Sequence, residues 1–132
     1  MFLHELNGEE KVAFMELAHL VAKSNGIVDE KEKRMLHTYS QEMGLNISPT
    51  DLNQWSLEKI TAFFESERIK RIVFLEAIAV AFADGVYHEE QKSLIGELKE
   101  ALSINDGDYE EFKAWIIKVT FLYTQADELI GG

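Results

Sequence analysis

At 132 residues, of which 46% are apolar, the chain has the size of one ordinary domain and enough apolar side chains to build a core without covalent staples. It has no cysteine, which excludes disulfide frameworks, thiolate metal sites and cysteine nucleophiles. A formal net charge of −11, with no basic cluster larger than Lys31-Glu32-Lys33-Arg34 or Arg68-Ile69-Lys70-Arg71, opposes binding to nucleic acid or anionic lipid and suits a cation or a basic partner.

The opening MFLHELNGEE reaches acid too soon for a secretory leader. Asn7 and Glu10 then form a capping box, after which Val12, Phe14, Met15, Leu17, Ala18, Leu20, Val21 and Ala22 predict a helix apolar on most sides, stopping at Asn25-Gly26. A second helix starts at Asp29, with Glu32 at its third position, carries Met35, Leu36, Tyr39 and Met43 at helical spacing, and ends at Gly44. Ser48-Pro49 reads as the start of a short helix, and Ser56 as the cap of another running through Ile60, Phe63 and Phe64.

From Ile69 to Ala83 the apolar residues surround the helix so fully that it is expected to be the central buried element. The run contains Glu76 and is too short to span a bilayer, so the chain is expected to have no transmembrane segment and to be cytoplasmic. A turn at Asp84-Gly85 leads to a helix from His88 to Leu102. The last helix, from about Asp106, carries Tyr109, Phe112, Ile116, Val119, Tyr123, Ala126 and Ile130 at alternating steps of three and four. Trp115, Leu122 and Leu129 form an adjacent stripe, so the apolar face is wider than one packing seam needs. No segment alternates like a strand. The expected fold is all-α, a single compact bundle of about seven helices over residues 1–132.

Residues 18–45 lie over residues 77–104 without a gap. Ala18/Ala77, Val21/Val80, Ala22/Ala81, Gly26/Gly85, Glu30/Glu89 and Lys33/Lys92 coincide, and Met35/Leu94, Leu36/Ile95, Met43/Leu102 and Leu45/Ile104 are apolar in both. Each copy is an apolar helix, a glycine turn, a cap and an amphipathic helix, which reads as two duplicated helical hairpins. The turns, Asn25-Gly26-Ile27-Val28-Asp29-Glu30 and Asp84-Gly85-Val86-Tyr87-His88-Glu89, each follow an alanine-rich helix.

This pattern resembles the TerB-like family of tellurite-resistance proteins and is similar to the N-terminal domain of membrane-anchored J-domain co-chaperones. The resemblance implies an all-helical domain, association with bacterial stress responses, no enzymatic activity, and an acidic cation site at the duplicated turns. The chain departs from the pattern at Asn25, where the family has aspartate, and at Gln91, where it has glutamate. There is no His-Pro-Asp triplet of a J domain.

A hard divalent cation, Ca²⁺ or Mg²⁺, needs converging oxygens. If the hairpins pack about a pseudo-twofold axis, Asp84 and Glu32 would be the charged anchors, with Asn25, Asp29 and Glu89 as supporting oxygens. The same residues also read as ordinary turn and cap residues, and their spacing does not match the EF-hand loop. A second expectation places function on the last helix, with Trp115, Phe121, Leu122 and Leu129 as a surface for self-association, for a membrane, or for a chaperone or other unidentified protein partner.

Other constellations carry little. Glu16 and His19 have the Glu-x-x-His spacing of di-iron bundles, but a second such motif is missing, so they read as a polar stripe or a local hydrogen-bonded pair. Glu76, on the stripe of the most buried helix, is expected to reach a groove edge or to pair with Arg71 or Arg68. No triad and no phosphate-binding glycine loop is present, and an enzyme is not expected.

Overall fold

Short polar residues set four of the described helix starts, and the hydrogen bonds are those of caps. The computed structural model describes residues 1–24, 30–45, 52–82 and 89–131, the side chains of Lys31 and Glu32 excepted. A 3-10 turn, Leu3–Glu5, precedes α1 (Gly8–Lys23), α2 (Glu30–Glu42), α3 (Leu57–Thr61), α4 (Glu67–Ala81), α5 (Glu89–Ala101) and α6 (Asp106–Ile130), and no strand occurs among the described residues. At α1 the Asn7 side chain accepts from Glu10 N at 2.8 Å while the Glu10 carboxylate accepts from Asn7 N at 2.9 Å. Such a cap is worth about 1 kcal/mol. Ser56 caps α3, Ser66 caps α4, and Asn105 caps α6 by accepting from Asp108 N at 2.7 Å.

The helix expected at Ser48-Pro49 falls outside the described residues, which hold six α-helices. Two boundaries differ from expectation. Helix α3 closes at Thr61, and Phe63 and Phe64 follow it. Buried Phe64 and Phe63, stacked on Trp55 at 5.4 Å, are held by tertiary packing instead of helical register. Helix α4 begins earlier than Ile69, because the Ser66 hydroxyl satisfies Ile69 N at 3.1 Å.

Helix α4 is the central element. Its residues Ile72, Val73, Phe74, Ala77, Ile78, Val80 and Ala81 are buried, and it packs on α1, α5, α6 and the 3-10 turn. Phe14 meets Tyr39 edge-on at 5.4 Å, joining α1 to α2, and Phe74 meets Tyr109 and Phe112 at 6.0 and 5.8 Å, joining α4 to α6.

Helices α2 and α5 end alike. Leu45 N donates to Ser40 O at 2.8 Å, and Ile104 N donates to Lys99 O at 3.0 Å. Each bond spans a residue in the left-handed region, Gly44 at φ +70° and Ser103 at φ +57°. Glycine enters that region freely, whereas an L-residue there carries strain of about 1–2 kcal/mol. Ser103→Gly is therefore expected to stabilise the fold by about 0.5–1 kcal/mol after the added freedom of the unfolded chain is offset. Gly44→Ala is expected to destabilise it by a similar amount, and urea unfolding of both variants checks the pair.

Helix α6 runs alongside α4 in the same direction, since Arg71 Nη1 meets Asp108 Oδ2 at 2.9 Å near their starts. Toward the end of α4, Ala79 and Phe82 line one cavity with Ile116 and Val119. Helix α4 stops at Ala81, while α6 continues beyond Val119 by about 17 Å at 1.5 Å per residue. From Thr120 onward every described residue of α6 is exposed.

Candidate functional site

The expected cation residues fall mostly beyond description. Asn25, Asp29 and Asp84 lie outside the described residues, as does the side chain of Glu32. Glu89 is described: it is exposed on the first turn of α5, with its carboxylate 3.1 Å from Lys92 Nζ. Among the described residues no three acid or histidine side chains are grouped to hold a metal. Gln91, two residues further on, is fully buried, and its Nε2 makes a long 3.5 Å contact to the Val21 carbonyl on the last turn of α1. A carboxamide can donate to that carbonyl, whereas an ionised glutamate there has only acceptors.

Two other carboxylates, both buried, organise what the sequence left loose. Glu76 is 1% exposed, yet it pairs with neither arginine expected for it. Arg68 binds Glu5 through two hydrogen bonds of 2.6 and 2.7 Å, and Arg71 binds Asp108. The reason is angular: residue 71 lies about 140° around the helix from residue 76, facing α6. Glu76 Oε1 instead accepts from the Met1 ammonium at 2.8 Å and from Phe2 N at 3.1 Å, and the Tyr39 phenol lies beside the same carboxylate. Burial pushes the Tyr39 phenol well above its usual range, and the charge of Glu76 adds to this. Glu42 stands 3.2 Å from the same ammonium.

These groups sit at the wall of a cavity of about 500 Å³ between α2, α4 and α6, otherwise lined largely by Met35, Ala79, Phe82, Ile116, Val119 and Tyr123. Among the described residues no lysine or arginine lines it. Burial by itself lowers the affinity of the Met1 amine for its proton, but the hydrogen bonds and charges of Glu76, then of Glu42, outweigh this and raise its pKa above 8.0. A group whose folded pKa is raised stabilises the fold below its unfolded pKa and loses that contribution as pH rises through the folded value. Stability is therefore expected to fall as pH climbs above about 8, and the fall should be largely absent in Glu76→Gln. Urea midpoints at pH 7.5 and 9.5 check it, below the range to which burial pushes the Tyr39 phenol.

Glu16 is the second buried carboxylate, 2% exposed. It does not bond His19 as the local spacing suggested. Its two oxygens accept from Asn53 N at 2.7 Å and Trp55 N at 3.1 Å, pinning the segment before α3 to α1. His19 Nδ1 is buried with no hydrogen-bond partner among the described residues. Burial, then the charge of Lys23, lowers the His19 pKa, and Glu16 opposes them.

Set against models of protein families, curated proteins and solved structures, the chain matches none of them.

The residues expected on the last helix are all described. Trp115 is 40% exposed, Phe121 60%, Leu122 59% and Leu129 89%. Tyr123 and Ile130, which the periodicity placed on the core-facing stripe, are exposed as well, because α4 ends before it reaches them. Ile116 is the one buried residue of α6. A groove of about 370 Å³ runs along this part of the helix, lined by Trp115, Val119, Leu122, Tyr123, Ala126 and Met1. None of the described helices is long and apolar enough to cross a membrane.

Proposed function

We propose that the protein is a non-enzymatic helical interaction module, TerB-like in kind and stress-associated as that resemblance implies, which works by pairing the distal half of α6 with α6 of a second copy. The observation that carries this is a seam with half a cover. Phe112, Ile116, Val119, Tyr123, Ala126 and Ile130 keep one heptad-like spacing, but α4 covers only the first three. A helix apolar on several sides is ordinarily buried.

Charge favours an antiparallel second copy as the cover. Between Ala114 and Ala126 the only charged residue is Lys118, and Asp127 and Glu128 follow at the far end. Antiparallel pairing brings each lysine toward the other copy's acids, whereas parallel pairing aligns like with like. An exposed aromatic offers on the order of 200 Å². The stripe of Trp115, Leu122, Tyr123, Leu129 and Ile130 then presents on the order of 600 Å² per copy, at the low end of specific interfaces. A dimer that dissociates on dilution is expected.

Sedimentation equilibrium tests this. The wild type should shift from monomer to dimer with concentration, and salt should strengthen the dimer by screening two acidic bodies, the reverse of its effect on a basic partner. Leu122→Asp and Leu129→Asp should hold the protein monomeric with little change in Tm, since both side chains are exposed. A wild type that stays monomeric at every concentration rules the reading out.

A second reading keeps the turns as a Ca²⁺ or Mg²⁺ site. It draws on the Gln91 contact to Val21, by which the chain leaves α1 and enters α5 at neighbouring points. If it holds, saturating metal at about 100 times Kd adds roughly 2.7 kcal/mol to chelator-treated wild type and nothing to Asp84→Asn. Equal melting curves with and without metal would remove it.

A further inference from the structure

We propose that the cavity between α2, α4 and α6 is a receptor for the α-ammonium group of a polypeptide whose first side chain is apolar, and that Met1 occupies it in cis in this structure. The chemistry rests on a doubled contact. A single buried oxygen, Glu76 Oε1, takes both the Met1 ammonium at 2.8 Å and the following amide, Phe2 N, at 3.1 Å. An amine and an amide N–H two atoms of backbone apart are what a free polypeptide terminus offers, and a lysine side chain lacks the second donor.

Charge selects in the same direction. Glu76 and Glu42 face one ammonium, and among the described residues no lysine or arginine lines the cavity, so an anion is repelled and an unprotonated or acylated terminus leaves carboxylates uncompensated. Tyr39, 5% exposed, lines the same cavity beside Glu76. The apolar remainder suits the first side chain. Met1 is 42% exposed and lines both this cavity and the α6 groove, so about 500 Å³ remains beside it and a bulkier first residue fits. The proposal does not depend on α6 pairing with a second copy.

The test uses the full chain carrying a Gly-Ser extension, which withdraws the cis ammonium, titrated by calorimetry with the peptide amide Met-Phe-Leu-His-Glu and its Nα-acetyl form. The free peptide should bind one to one, and acetylation should weaken it at least tenfold. Glu76→Gln in the extended chain should do the same, and Glu42→Gln should weaken it less. Equal affinity of the free and acetylated peptides, or no binding to an extended chain that remains helical, overturns the proposal. Should the extension prevent folding, the unextended chain decides by NMR: the α-amine must titrate above its usual value and return toward it in Glu76→Gln, and an ordinary value in the wild type overturns the assignment.

Discussion

Glu76→Ala is expected to lower stability by about 2–4 kcal/mol, read as a fall in the urea midpoint with an unchanged slope. The truncation leaves Phe2 N without its acceptor, deprives the Met1 ammonium of its closest counter-charge, and opens a void against α4. Met1 is itself 42% exposed, so its ammonium can turn to water, which keeps the cost below that of stranding a fully buried charge. Glu76→Leu separates these contributions. Leucine is close to glutamate in size and carries no charge. That variant restores packing, still strands the Phe2 amide, and should recover about half of the loss. If alanine and leucine cost the same, packing contributes nothing and the polar contacts account for the whole effect.

The second large effect is expected at Glu16. Glu16→Ala removes both acceptors of Asn53 N and Trp55 N, and each stranded backbone donor costs about 1–3 kcal/mol, so a total of about 2–4 kcal/mol follows after partial relaxation toward water. Glu16→Gln keeps one acceptor oxygen but turns an NH₂ toward the other amide, and should lose about half as much. Hydrogen exchange resolves the mechanism, because the amides of Asn53 and Trp55 should lose protection in the alanine variant before the α1 and α4 amides do. Uniform loss across the fold would mean that Glu16 supports the core rather than the connector.

Much of the helical frame was legible because its determinants are local. The Asn7–Glu10 box, the Ser56 cap, the Gly44 stop and the start of α6 each depend on side chains three or four residues from the backbone groups they satisfy. The burial of α4 was legible from apolar residues on nearly every side. The Ser66 cap was equally local and was missed in favour of the apolar run that follows it. Legibility of the candidate sites was poorer. Only the apolar excess of α6 at Trp115, Phe121, Leu122 and Leu129 was visible in advance, whereas the cation residues are named by sequence alone.

By itself the sequence determined an all-helical chain, most of its helix limits, the central place of α4 and an apolar face on α6 wider than one packing seam needs. Tertiary structure decided the rest. Glu76 meets an ammonium 75 residues away and Glu16 meets amides 37 and 39 residues away, so neither partner is encoded in a local pattern. The exposed part of the α6 stripe depends on where α4 stops beside it, and Gln91 is buried because α5 starts against the end of α1. Periodicity specifies which face of a helix is apolar, and caps specify where it begins. Which group meets a buried charge, and how far a seam is covered, follow from the relative placement of helices, a property of the assembled core.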